Sequence, residues 1–332
     1  MKHGLATVWI GLALGCGGQP SGATDDGAPV DGAPGGGSSL VVDSSTIGPL
    51  AADDHALFYV EGTSVKAFPL EGGTPSTLYT DTPPAQALTQ IDRVVVGSSE
   101  VLVVVGHLDP TTLATDQTLV LVPKLGGPPR VLATSSDVRA FLGATFDGDY
   151  VYFSSFDSLY RVPRAGGPTT FVGESNGSTH YWIFSPVVTA DQVYWAEDTS
   201  VFRMARTDST RRGAPLAALP GSESGKIVAS GSKFVIALSP ELDFQAPPDA
   251  FVEIDPATGA VGTRVPLADA NILQVVATER DVWTVSPTGL VRVPRVGGPP
   301  VQVLADPCSS AVATGGSLYV TTEAGIVRLP LP

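Results

Sequence analysis

Short apolar runs separated by Gly, Pro, Asp and Ser recur along the chain at intervals too short for helices. Seven of them align: ALFYV from 56, VLVVV from 101, YVYFSS from 150, VYWAE from 193, FVIAL from 234, VWTVS from 282 and LYVTT from 318. Each is five or six residues long, rich in Val, Tyr, Trp and Phe and bounded by turn formers, which is the signature of a strand. A second pattern follows four of them: LVLVPKLGGPP from 119, LYRVPRAGGP from 159, LVRVPRVGGPP from 290 and a shortened IVRLPLP from 326. Pro ends a ladder because it has no N–H, and Gly-Gly supplies the positive φ of a tight reversal. The motif therefore stops one antiparallel strand and starts the next. Two units use other turn formers, DSTRRG at 208 and DPATG at 255.

A small apolar strand before each aromatic run, as in VVATERD at 275–281, and one after each turn, as in VQVLA at 301–305, complete a four-stranded unit. Such units repeating every ~40–50 residues predict an all-β fold, a seven-bladed β-propeller of antiparallel blades. The seventh unit ends at Pro332 after its third strand, leaving an open edge, and SLVVD at 39–43 is a spare strand. We expect it to complete the last blade and close the ring, so that 39–332 form one domain.

Composition adds a compartment. Of 332 residues 43% are hydrophobic and only 16% charged, with a net charge of −14 that disfavours nucleic acid and anionic lipid surfaces. Residues 1–15 have a basic start at Lys2 and an apolar stretch from Leu5 to Leu14. That stretch is too short for the ~20 residues of a membrane span and reads as a signal peptide. LALGC at 12–16 resembles the lipobox of bacterial lipoproteins, although Ala13 stands where Leu is commoner. The resemblance implies a lipidated Cys16, an exported protein and an envelope location. Gly17 in place of Asp favours the outer over the inner membrane in a Gram-negative host. Ordinary secretion with a chance cysteine is the alternative. Residues 16–38 then form a Gly/Pro/Ala-rich tether without hydrophobic period, with a mean reach of about 26 Å. The other cysteine, Cys308, is expected to be a small buried hydrophobe.

VYWAEDTSVFRMARTDST at 193–210 resembles a YWTD repeat of the low-density lipoprotein receptor class, through Tyr194, Trp195, Arg203 and Asp208; Ala196 and Glu197 depart from it. The resemblance implies a binding platform. Arg161, Arg203, Arg292 and Arg328 share one column of the third strand, read as struts between blades paired with acids such as Asp147, Asp191 or Asp281.

Linear catalytic motifs do not emerge. His55, His107 and His180 are isolated, GSESGKI from 221 lacks P-loop spacing, and FDGDY at 146–150 is too short for a calcium loop and falls at a turn. Two other regions are candidate sites. Arg93, Ser185, Lys226, Gln274 and Ser310 align near the starts of first strands, where they would ring a channel mouth, or else are solvated strand ends. Loops between second and third strands carry acids, including Asp109, Asp116, Asp157, Glu197, Glu241 and Asp243, whereas the Gly-Gly turns carry Lys124, Arg130, Arg164, Arg211, Arg212 and Arg295. This predicts faces of opposite charge, with the acidic one holding a partner. The reading that follows is a monomeric, lipid-anchored recognition or scaffold module without chemistry or cofactor of its own, meeting another envelope protein or a cationic ligand. A propeller enzyme of lyase or lactonase type, with a divalent cation at the channel mouth, is the alternative.

Overall fold

The computed structural model describes residues 38–332 except 84–85, 113, 136–140, 142, 156–157, 175–183, 198, 208–212, 220–223, 240–247 and 268–270. The described residues contain strands and turns and no helix. The chain opens with β1 (Ser39–Asp43). Blade 1 is β2 (Ile47–Ala52), β3 (Ala56–Glu61), β4 (Ser64–Pro69) and β5 (Ser76–Thr80); blade 2 is β6 (Leu88–Val96), β7 (Glu100–Leu108), β8 (Thr115–Pro123) and β9 (Arg130–Ser135). Blade 3 is β10 (Gly143–Phe146), β11 (Tyr150–Ser155), β12 (Ser158–Pro163) and β13 (Thr170–Glu174); blade 4 is β14 (Phe184–Val188), β15 (Gln192–Glu197), β16 (Ser200–Ala205) and β17 (Ala214–Ala218). Blade 5 is β18 (Ser224–Ser230), β19 (Lys233–Ser239), β20 (Ala250–Ile254) and β21 (Val265–Pro266); blade 6 is β22 (Gln274–Ala277), β23 (Asp281–Ser286), β24 (Gly289–Pro294) and β25 (Val301–Leu304). Blade 7 joins β26 (Cys308–Thr314), β27 (Ser317–Thr322) and β28 (Gly325–Pro330) to β1, in the order β1-β28-β27-β26.

The first strands β2, β6, β10, β14, β18, β22 and β26 each touch the next, and β26 touches β2, so the propeller closes around a central channel. Alternation explains why the second strands are apolar throughout. In β7, Val101, Val103 and Val105 pack toward blade 1, while Leu102 and Val104 pack toward blade 3. Each of the seven blade interfaces holds one such apolar cluster. A strand sandwiched on both sides has no polar face to alternate with.

The N-terminal strand copies the fourth strands of other blades in detail. In β5, β9, β13, β17 and β25 one extra residue bulges opposite the same step of the third strand: Leu78, Leu132, Val172, Leu216 and Val303. In β1 the extra residue is Val41, opposite Ile326 and Val327. The bulge brings a carbonyl against the start of the third strand. Gly325 (φ +134°) meets Val42 O there, as Gly289 (φ +131°) meets Leu304 O in blade 6, and a Cβ at either glycine would collide with that oxygen. Val42 is buried with Leu50, Tyr59, Tyr319 and Ile326 across the seam between blades 7 and 1.

Candidate functional site

The antiparallel order puts loops between second and third strands, together with the blade-to-blade connections, on one face. The turns between first and second and between third and fourth strands lie on the other. Between the faces, a cavity of about 620 Å³ occupies the channel, lined by Ile47–Leu50, Asp92–Val95, Ile227, Val228, Ala237, Pro248, Leu273–Val275, Ser309 and Ser310. Three of the aligned channel residues, Arg93, Gln274 and Ser310, therefore share one wall-lined space. Ser185 and Lys226 belong to the backbone of β14 and β18, and their side chains lie outside the described residues.

Two of the three are occupied in closing the ring. Gln274 Nε2 donates to Ala311 O at 3.0 Å while Gln274 Oε1 accepts Ala311 N–H at 2.8 Å, stitching β22 to β26. Ser310 Oγ accepts the Leu50 N–H at 3.2 Å, stitching β26 to β2. Arg93 is different. It follows the bulged Asp92 in β6, and burial pushes its pKa down, with the Asp92 charge offsetting this only in part. Asp92 borders the open channel, yet the crowding of its carboxylate raises its pKa against the opposing effects of Gln117, Arg93 and Gln90. Its Oδ2 accepts Gln117 Nε2 at 3.0 Å and lies where a side chain at residue 106 would go, so Gly106 makes room for it.

On the loop face blade 2 projects. Strands β6, β7 and β8 have nine residues each, against six in the second strands β3, β11, β15, β23 and β27. Three further residues at about 3.4 Å each carry it roughly 10 Å beyond its neighbours. The extension is braced by His107, whose Nδ1 lies 2.8 Å from Asp116 Oδ1 and Nε2 2.9 Å from Asp81 Oδ2. Asp81, itself buried, also accepts the hydroxyls of Tyr79 and Thr89 at 2.8 Å each. A carboxylate on each ring nitrogen lets the protonated imidazole donate from both, which favours the cation. Burial would lower its pKa, but the bonds to Asp81 and Asp116 outweigh burial and raise it. Burial likewise would raise Asp81, and the His107, Thr89 and Tyr79 donors pull it below its ordinary value. The two carboxylates approach opposite edges of the ring, so their oxygens diverge. Among the described residues, no three His, Cys, Asp or Glu side chains converge as a metal would require.

At the tip, Asp109 is tied to the backbone of its own loop. The Asp109 N–H donates to Ala114 O at 2.8 Å, and Asp109 Oδ1 accepts the Thr111 and Thr112 N–H groups at 2.8 and 3.2 Å. Those bonds pull the Asp109 pKa down. Exposed Leu88 lies beside it at the end of β6, paired in register with Leu108. Nothing in the sequence announced the longer strands except that VLVVVGH continues past five apolar residues.

The other acidic-loop residues need revision. Glu197 is 4% exposed, at the end of β15, where it accepts Trp195 Nε1 at 3.3 Å. It is a buried partner of the tryptophan and no surface acid. Asp157, Glu241 and Asp243 lie outside the described residues, as do Arg211 and Arg212. Glu61 is paired with Lys66, and Asp249 with Arg264 at 2.9 Å.

The opposite face is not a free basic surface either. Lys124 pairs with Asp53 at 2.5 Å, Arg164 with Glu100 at 2.6 Å, Arg206 with Asp147 at 2.5 Å and Arg295 with Glu253 at 2.5 Å. Each of these cations follows the third strand of its blade and reaches an acid of the preceding blade. The same column holds Leu70 and Leu331, both packed in apolar clusters. Its backbone N–H closes its own blade, as Arg164 N–H to Asp149 O at 2.8 Å. This is the reason the sequence repeats a base after Val-Pro: the cation bridges blades.

The column three residues earlier meets the expectation only in part. Arg161 and Arg203 do cross to the next blade, but onto the carbonyls of Arg206 (3.2 Å) and Ala257 (3.5 Å). Arg292 faces Asp281 of its own blade at 4.0 Å, and Arg328 donates to Ser317 Oγ of its own blade at 3.0 Å. The expected acid Asp147 is already held by Arg206.

Cys308 is buried, and burial pushes its thiol up to about 11, which keeps it protonated and inert. Cys16 lies outside the described residues.

No protein-family model matches the chain, and no curated protein matches it in sequence. Solved structures match in fold. YCF48 bound to D1 peptide aligns with a TM-score of 0.57 at 11% identity over 89% of this chain and 96% of that one. BamB from Moraxella catarrhalis aligns with a TM-score of 0.53 at 13% identity, over 86% of this chain and 83% of its own. PorZ from Porphyromonas gingivalis aligns with a TM-score of 0.59 at 11% identity, over 90% of this chain and 38% of PorZ.

Proposed function

We propose that the protein is a recognition module of the bacterial cell envelope, anchored through a lipidated Cys16 and holding a partner protein on its loop face. The observation that supports this reading is the braced projection of blade 2. A surface whose side chains are fixed before binding loses little entropy on contact, and here Asp81, His107, Asp116 and Asp109 fix both stem and tip. The reading places the contact on this hairpin rather than across a uniformly acidic face. The hairpin offers Asp109 and Asp116, which suits a basic patch on the partner. Fold analogy adds modest weight: YCF48 was solved with a D1 peptide, and PorZ is described as a surface component of a secretion system.

Crosslinking in intact cells, followed by identification of what is recovered, tests the reading. Asp109→Asn and Asp116→Asn keep a side-chain oxygen that can accept the bonds described above while removing charge. The double variant should capture partner several-fold less and with a flatter salt dependence. Undiminished capture would place the contact elsewhere. Cys16→Ser should move the protein from the membrane to the soluble fraction, and unchanged membrane association refutes the lipid anchor.

A further inference from the structure

The channel cavity contains a guanidinium that no acceptor among the described residues holds. Arg93 lines the cavity, and among the described residues no acceptor hydrogen-bonds its guanidinium and no carboxylate stands within 4.0 Å. Its neighbour Asp92 spends Oδ2 on Gln117. The other polar groups of the wall do not compete, since Gln274 and Ser310 are bonded to the backbone of adjoining strands. Apolar lining comes from Ile47, Val228 and Leu273, the last 57% exposed, while Leu50 and Ile227 are buried between blades. A volume of about 620 Å³ falls in the range of small-molecule sites. A cation partly withdrawn from water, whose burial the neighbouring Asp92 charge offsets only in part, is unfavourable, and an anion entering the cavity would relieve it.

We infer that the cavity binds an organic monocarboxylate, its carboxylate on the Arg93 guanidinium and its apolar body against Ile47, Val228 and Leu273. A planar guanidinium matches a carboxylate with two parallel hydrogen bonds. One cation beside Asp92, in a chain of net charge −14, favours a monoanion over a phosphate of higher charge. The site stands on the channel alone and is independent of the loop-face partner.

Calorimetric titration of the intact propeller with 4-phenylbutyrate and with its neutral amide tests the inference. The acid should bind saturably with a low-millimolar Kd, as suits so small a ligand, and about tenfold more tightly than the amide. Arg93→Gln should abolish that preference. Leu273→Glu, at an exposed wall position, should abolish acid binding by repulsion and provides the test should Arg93→Gln not fold. Equal affinity for acid and amide, absence of saturable binding to the wild type, or acid binding unchanged in either folded variant overturns the proposal.

Discussion

At the scale of single residues, His107 shows how geometry gives a side chain a pH range. The folded protein raises its pKa above the ordinary 6.5, so the cation contributes its full stabilisation below that value and loses it as pH rises through the folded value. Asp81 is shifted the other way, from an ordinary 3.8 downward, so its contribution is present above 3.8 and is lost only as pH falls through the lowered value. The brace is therefore complete between mildly acidic and near-neutral pH. Replacing His107 by Gln should cost about 1–2 kcal/mol at pH 6, and the difference from wild type should shrink toward alkaline pH. Urea unfolding of both proteins across pH 5–9 measures this. A difference that does not vary with pH would show that the imidazole acts by packing and not as a cation.

At the scale of elements, the ion pairs behind the Gly-Gly turns are decisive. Arg164 meets Glu100 through Nε at 3.0 Å and Nη2 at 2.6 Å, adds Gly148 O at 3.0 Å, and is only 16% exposed. Arg164→Ala should destabilise by about 2–3 kcal/mol, since it leaves a half-buried carboxylate with only the distant Arg130 at 3.4 Å. Glu100→Gln with Arg164→Ala together should cost less than the sum of the two, as a double-mutant cycle in chemical denaturation reads; strict additivity would deny the coupling. All seven second strands were legible from their apolar runs, because burial on both sides leaves an unmistakable pattern. The Val-Pro-base-Gly-Gly repeat was legible as a turn. Its cation's role was not, because the acid it meets belongs to the preceding blade, tens of residues away: 42 for Glu253 and Arg295, 64 for Glu100 and Arg164, 71 for Asp53 and Lys124. Glu197 was misjudged for a related reason. Position beside a loop suggested exposure, while the indole N–H of Trp195, two residues back on the same side of the strand, draws the carboxylate inward.

The whole molecule depends on its seam. Six blades are each built from consecutive chain, whereas blade 7 is joined from the two ends, with β1 pairing β28 from Ser39↔Arg328 to Asp43↔Gly325. In a ring every interface is flanked by another, so loss of one strand is felt beyond its own blade. Removing β1 strips Val42 from the cluster with Leu50, Leu57, Tyr59, Phe68, Tyr319 and Ile326, and it frees the whole edge of β28. Burying one such side chain is worth roughly 1.5–3 kcal/mol, and the lost ladder bonds add about 1 kcal/mol each. Against a typical total of about 5–15 kcal/mol, that is a large fraction. Deleting residues 39–43 should therefore lower the melting temperature sharply and broaden the transition, as blades flanking the seam loosen first. Deleting 17–37 should leave both unchanged, because the sequence there has no apolar period with which to form a core. Differential scanning calorimetry of the two deletions beside the full chain decides it. Equal melting temperatures for the two would mean that β28 tolerates an open edge and that the ring is held by its first strands alone.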